Sequence, residues 1–233
     1  MRLNRLVEKV TRAYDEFEFH QVYHGLYDFC VNDLSALYLD MSKDRLYCDD
    51  KNSLERRSTQ FALNEILMTL IKLMAPILSF TAEDILKYVT SQQSPVASVF
   101  MLEMPKERKE FIDEKLEQRW EKLLELRGKV YQKLEALRAN KEIGGSLDAE
   151  VRIFAKGQEH DELKALGMIL PMFFIVSKVI LAEGDGDPEV APASGTKCQR
   201  CWMWSESVGE DKTHSTLCAR CVKVIKNIKD KEQ

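Results

Sequence analysis

Leu3, Leu6, Val7, Val10, Tyr14 and Phe17 recur at three- and four-residue intervals, which predicts an amphipathic helix over residues 3 to 17. A second pattern follows at once: Phe19, Val22, Tyr23, Leu26, Tyr27, Phe29, Cys30, Leu34, Leu37, Tyr38 and Met41. Its apolar surface is too wide to face one neighbour, as suits the central helix of a bundle. A polar and charged stretch, 42 to 50, then leads to Asn52-Ser53, an N-cap pair for a helix from Leu54 to Ala75. Pro76 stops that helix, because proline lacks a donor and disfavours helical geometry in the residue before it. Thr81-Ala82-Glu83-Asp84 is close to a capping box and predicts a short helix to Val89, followed by a loop over 90 to 98. The most regular pattern, Leu116, Trp120, Leu123, Leu124, Leu126, Val130, Tyr131, Leu134 and Leu137, predicts a long helix over 111 to 139 with a solvated face of Lys and Glu.

Gly144-Gly145 ends the helical regime. Leu147, Ala149, Val151 and Ile153 alternate with Asp148, Glu150 and Arg152, the period-two pattern of a half-buried strand. A short helix over 161 to 170 and the β-branched run from Phe174 to Leu181 complete a predicted strand-helix-strand unit. Residues 183 to 195, rich in Gly, Pro, Asp and Ala, predict a linker. The expected architecture is mainly α: a helical bundle (1–140), a small α/β junction (141–182), a linker (183–195) and a metal-knuckle module (196–233).

Composition narrows the function classes. An apolar content of 45% and a net charge of −4 exclude a disordered tail and a generally basic nucleic-acid coat. The charge is uneven: from Gly195 onward eight Lys/Arg face five Asp/Glu, whereas Glu183 to Glu189 holds four acids and no base. The longest apolar run, Met168 to Val176, contains Pro171 and falls short of the roughly 20 residues of a membrane span. The N-terminus lacks a signal-peptide core, so a cytoplasmic protein is expected. Cys30 and Cys48 read as small buried hydrophobes.

The chemistry lies in Cys198-Gln199-Arg200-Cys201 and Cys218-Ala219-Arg220-Cys221, two C-x-x-C knuckles separated by sixteen residues. Each knuckle can set two sulfurs on one side of a tight turn, and together they make a tetrahedron of thiolates suited to one structural Zn²⁺. A filled set leaves no position for catalytic water, so such a metal folds the segment and performs no reaction. His214, four residues before Cys218, could serve in a Cys₃His site but is not needed beside four thiols. His20, His24 and His160 show no partner pattern.

Taken in order, several stretches resemble the C-terminal part of bacterial isoleucyl-tRNA synthetases, which are class I aminoacyl-tRNA synthetases. These stretches are Leu34 to Asp40, Lys43-Asp44-Arg45-Leu46-Tyr47, Glu55-Arg56-Arg57, Ala75 to Asp84, Arg138 to Ala149, and Lys197 to Trp202 with Leu217 to Cys221. Leu86 and Met104 stand where that family more often has Trp; both read as packing positions. Met41-Ser42-Lys43 only partly resembles the family's Lys-Met-Ser-Lys-Ser element and reads as coincidence. The resemblance implies a helical anticodon-binding domain and a zinc-binding tail that engage the anticodon arm of isoleucine tRNA. It also implies that the ATP-using nucleotide-binding fold and the editing domain lie upstream, so no catalytic residue is expected here and this stretch alone should not aminoacylate. The expected partners are that tRNA and the rest of a monomeric synthetase.

Anticodon bases are read splayed out, stacked on aromatic or guanidinium planes, with Lys and Arg on phosphates. Lys197, Arg200, Trp202, Trp204 and Arg220 supply such groups at the tip, and Lys43, Arg45, Arg56 and Arg57 could form a basic edge on the bundle. One of the two tryptophans is expected to cover the metal core instead, with Trp202 the better candidate for stacking. The alternative is a free-standing zinc-ribbon adaptor without catalysis. A relation to formamidopyrimidine-type DNA glycosylases, which carry a related knuckle, is remote because their catalytic N-terminal proline is absent.

Overall fold

The computed structural model describes residues 1–89 and 98–229; the expected loop over 90 to 98 lies outside them except for Ser98. The chain divides into two units, residues 1–39 with 58–117, and residues 40–57 with 118–233.

The first unit is helical. α1 (Arg2–Asp15) places Leu6, Val7, Val10 and Ala13 in one core with Val22 of α2 (Phe19–Asp28), with Phe29, and with Leu70 and Leu73 of α4 (Leu54–Met74). The Tyr14 hydroxyl donates to the Leu73 carbonyl at 2.8 Å, and burial raises its pKa to about 12. Phe29–Leu39 continues α2 as a π-helical segment. α4 ends one residue before Ala75, as Pro76 dictates. The chain then rewinds sooner than the Thr81 signature suggests: α5 spans Ser79–Val89, so Thr81 to Asp84 lie inside it. Ser79 Oγ bonds the Ala75 carbonyl at 2.9 Å and Leu78 N the Met74 carbonyl at 2.8 Å, which makes the proline turn itself the helix entry. Ile71, Ala75, Ala82, Leu86 and Val99 form a second core. Leu86 is thus a packing residue, whereas Met104 is 38% exposed and is not. Glu83 accepts from Val99 N and Ser98 Oγ and holds the returning chain on α5.

The second unit opens with α3 (Asp40–Cys48), helical where a polar stretch is expected. Its charges lie along a helix whose buried positions are Ser42 and Cys48, a pattern too sparse to show as an apolar stripe. Ser53 caps α4 as expected, its Oγ accepting from Arg56 N at 3.2 Å. α6 (Glu114–Ala139) starts at Asp113, whose carboxylate accepts from Leu116 N at 3.0 Å, three residues later than its pattern indicates. Trp120 meets Phe173 edge to face at 5.4 Å, and Arg127 Nε donates to the Phe173 carbonyl at 2.9 Å.

β1 (Ala149–Ala155) buries Ala149, Val151, Ile153 and Ala155 on one face, the alternation read from the sequence. Two helices, α7 (Gly157–Leu166) and α8 (Ile169–Phe174), replace the single one expected, because Gly167 at φ +47° ends the first. β2 (Lys178–Glu183) returns parallel to β1, closing the β-α-β unit. β3 (Glu189–Pro192) pairs antiparallel with the other edge of β1, so part of the stretch with linker composition belongs to the sheet. β4 (Thr196–Lys197) and β5 (Trp204–Ser205) form a minimal hairpin, and α9 (Ala219–Lys229) ends the described chain. No helix among the described residues is long and apolar enough to cross a membrane.

Candidate metal centre and nucleic-acid interface

The first knuckle is a tight turn at the end of β4. Trp202 N bonds the Cys198 carbonyl at 2.9 Å and Cys198 N the Met203 carbonyl at 2.9 Å, which turns both side chains to one side. The second knuckle opens α9, with Val222 N bonded to the Cys218 carbonyl at 3.0 Å. Gly195 makes the approach possible: it sits at φ +93°, and a Cβ there would lie 2.6 Å from the Ser205 carbonyl carbon.

The four sulfurs of Cys198, Cys201, Cys218 and Cys221 lie within 4.8 Å of one another, and all four residues are buried. Cys201 and Cys218 are 3.8 Å apart, close to the roughly 3.8 Å edge of a sulfur tetrahedron around Zn²⁺ with bonds of about 2.3 Å. Hydrogen bonding to Cys221 and burial push the Cys201 thiol up to about 12. The donor set fits one structural zinc, which supplies tetrahedral cross-linking and no reaction. Met203, Val208 and Leu217 cover the cluster, together with Cys48 from α3. His214 lies outside it, its backbone N–H bonded to Asp211. Four thiolates around a dication leave a net negative charge, and two guanidiniums lie against it: Arg200 Nη1 is 3.6 Å from Cys221 Sγ, and Arg220 Nη2 is 3.8 Å from Met203 Sδ beside Cys201.

The structure places most of the sequence-derived RNA candidates in intramolecular bonds. Arg220 holds the Asp44 carboxylate bidentately at 2.5 and 2.6 Å. Arg200 donates to the Cys48 carbonyl at 2.5 Å and the Tyr47 carbonyl at 3.5 Å. Lys197 Nζ and Trp204 Nε1 meet the same oxygen of Asp148, at 2.8 and 2.9 Å. Trp204 is therefore tied to the α/β junction rather than laid over the metal cluster. On the basic edge, Lys43 is exposed and bonded to Asp40 at 2.6 Å, and Arg57 is exposed. Arg45 and Arg56 are half-buried, each with a buried Nε that has no partner among the described residues.

Trp202 differs from all of these. It is 63% exposed and stands at φ +63°, a left-handed conformation that costs a residue with a Cβ roughly 1–2 kcal/mol. The indole is thrust into solvent from a strained turn beside Lys197 and Gln199. Sequence reasoning missed Asp44 and Asp148, the acceptors that hold the tip. The signal for Asp148 was its position behind Gly144-Gly145, whose N–H groups it accepts at 3.2 and 2.9 Å.

Comparison with known proteins agrees with this arrangement. Residues 1–153 match the anticodon-binding domain of tRNA ligases, and residues 195–224 match the zinc finger found in FPG and IleRS. The isoleucine–tRNA ligases of Desulforamulus reducens and Caldicellulosiruptor saccharolyticus are each 44% identical over 97% of the chain; that of Moorella thermoacetica is 41% identical over 97%. The chain spans about a quarter of the length of these curated relatives, 25–26%. It belongs to the family of anticodon-binding domains of tRNA ligases and carries a C-terminal zinc finger of the type found in FPG and IleRS.

Proposed function

We propose that this chain is the tRNA-binding region of an isoleucine–tRNA ligase, a monomeric cytoplasmic enzyme that attaches isoleucine to its tRNA using ATP. It grips the anticodon arm while activation, transfer and editing take place in other parts of the protein. The observation that carries this reading is the tip built on a buried four-thiol cluster, beside which Trp202 is the large aromatic left exposed among the described residues. Trp202 stacks on an anticodon base, and Lys197, whose side chain is 46% exposed, adds attraction for the neighbouring phosphate. Lys43 and Arg57 provide further phosphate contacts. The division into helical domain, junction, linker and zinc module follows the same reading, with β3 anchoring the linker on the junction.

The test is a binding titration of the chain with the anticodon stem-loops of isoleucine tRNA and of an unrelated tRNA at several salt concentrations. Tighter binding of the isoleucine stem-loop, weakening with salt as phosphate contacts release counterions, is the expected result. Equal affinity for the two RNAs would overturn anticodon reading and leave a nucleic-acid or protein adaptor.

A further inference from the structure

Two carboxylates flank the zinc module and neither belongs to it. On one side Asp44 of α3, with its side chain only 19% exposed, takes both Nη atoms of Arg220, which lies between the ligands Cys218 and Cys221. The same edge of the module is held through Arg200, which reaches the Cys48 and Tyr47 carbonyls, and through Cys48 Sγ, 3.7 Å from the Arg200 carbonyl. On the other side Asp148, 16% exposed, uses one oxygen for Lys197 and Trp204 and the other for the N–H groups of Gly144 and Gly145. Ser177 Oγ accepts from Trp204 N at 2.7 Å, and Ala193 N bonds the Asp148 carbonyl at 2.8 Å, so the strand entering the module is tied down as well.

We infer that Asp44 and Asp148 are positioning residues that lock the zinc module onto α3 and the α/β junction, so that Trp202 is presented in one orientation before RNA arrives. The consequence for RNA depends on the proposed tRNA-binding function; the lock itself does not. A module swinging on a free linker would have to be ordered on binding, whereas a docked one has met that cost during folding. Two stretches far apart in sequence, Asp44 to Cys48 and Gly144 to Asp148, meet at the module through these bonds. They are the receptacles of the module.

The experiment compares the unmodified chain with Asp44→Ala, Asp44→Glu and Asp148→Asn. Asp148→Asn is nearly isosteric but turns an amide donor toward the two glycine N–H groups or toward Lys197 and Trp204. The readouts are zinc per chain, amide hydrogen exchange over 196–205 and 219–224, and affinity for the isoleucine-tRNA stem-loop. Asp44→Ala and Asp148→Asn should keep one zinc and exchange faster over these segments. Each should bind the stem-loop about tenfold more weakly, and Asp44→Glu, which keeps the carboxylate for Arg220, should retain more protection and affinity than Asp44→Ala. Unchanged exchange in both Asp44→Ala and Asp148→Asn, or loss of zinc in both, would overturn the lock. Faster exchange with undiminished affinity would overturn the presenting role alone. An unmodified chain that does not distinguish the two stem-loops would defeat the tRNA reading and leave the exchange result to judge the lock.

Discussion

At the scale of the residue, Trp202 carries the most information because its conformation and its chemistry pull apart. A packing role would reward burial, and a turn role would reward glycine; an exposed indole at φ +63° satisfies neither. Trp202→Gly should therefore retain zinc and raise the stability of the module by about 1 kcal/mol by relieving the left-handed strain. The same change should weaken stem-loop binding by about 1–3 kcal/mol through loss of one stacked base. Calorimetric melting and a binding titration separate the two effects, and parallel losses in both would mark Trp202 as a packing residue. Gly195 behaves oppositely. Gly195→Ala combines φ +93° with a Cβ driven into Ser205, so it should lower stability by more than about 1 kcal/mol and lower zinc retention, measured by melting and metal analysis. Asp148 yields a pH prediction. Burial alone would raise its pKa, but hydrogen bonds from Lys197, Trp204 and Gly145 N hold it below the ordinary carboxylate value. Its contribution is fully present above that ordinary value, about pH 4, and is lost as pH falls through the lowered one. The difference in melting temperature between the unmodified chain and Asp148→Asn should hold from pH 7 to about 5 and close at lower pH.

At the scale of the element, legibility tracked how strongly a single periodicity dominated. α1, α4 and β1 were read closely because one apolar face or one alternation sets each of them, and Ser53 and Pro76 mark the ends of α4. α3 escaped notice because its buried face is only Ser42 and Cys48, so its residues look like a charged loop until the zinc module covers them. α9 lacks a sequence signature for a related reason: among its described side chains Cys221, Val222 and Val224 are the buried ones, and in sequence they look like the flank of a knuckle. The π-helical turn over Phe29–Leu39 leaves no local signature that apolar spacing can report. α6 is the clearest case for a quantitative check. Leu134 is fully buried, and Leu134→Ala should cost about 2–5 kcal/mol, whereas Lys122→Ala on the exposed face should stay within about 0.5 kcal/mol. Denaturant titration distinguishes the two.

At the scale of the whole molecule, the four cysteines made the metal site readable from spacing alone, while the fate of the charges around it was not. Sequence offers no way to tell a basic side chain that faces RNA from one that neutralises a buried carboxylate, and Arg220 and Lys197 each meet an acid more than 40 residues away in the chain. Removing zinc should unfold the segment from Thr196 through α9, since its buried side chains are chiefly the thiols, and should leave the α1–α2–α4 core in place. Circular dichroism and hydrogen exchange before and after chelation would reveal a local loss of structure, and restored protection on adding one equivalent of zinc. The central claim is that the zinc tip meets the anticodon. Its most direct test is photocrosslinking of an isoleucine-tRNA stem-loop carrying a photoreactive base in the anticodon, followed by mapping of the attached peptide. Attachment is expected within the peptide containing Lys197 to Met203 and should be lost in Trp202→Gly; attachment confined to other parts of the chain would refute anticodon contact by the tip.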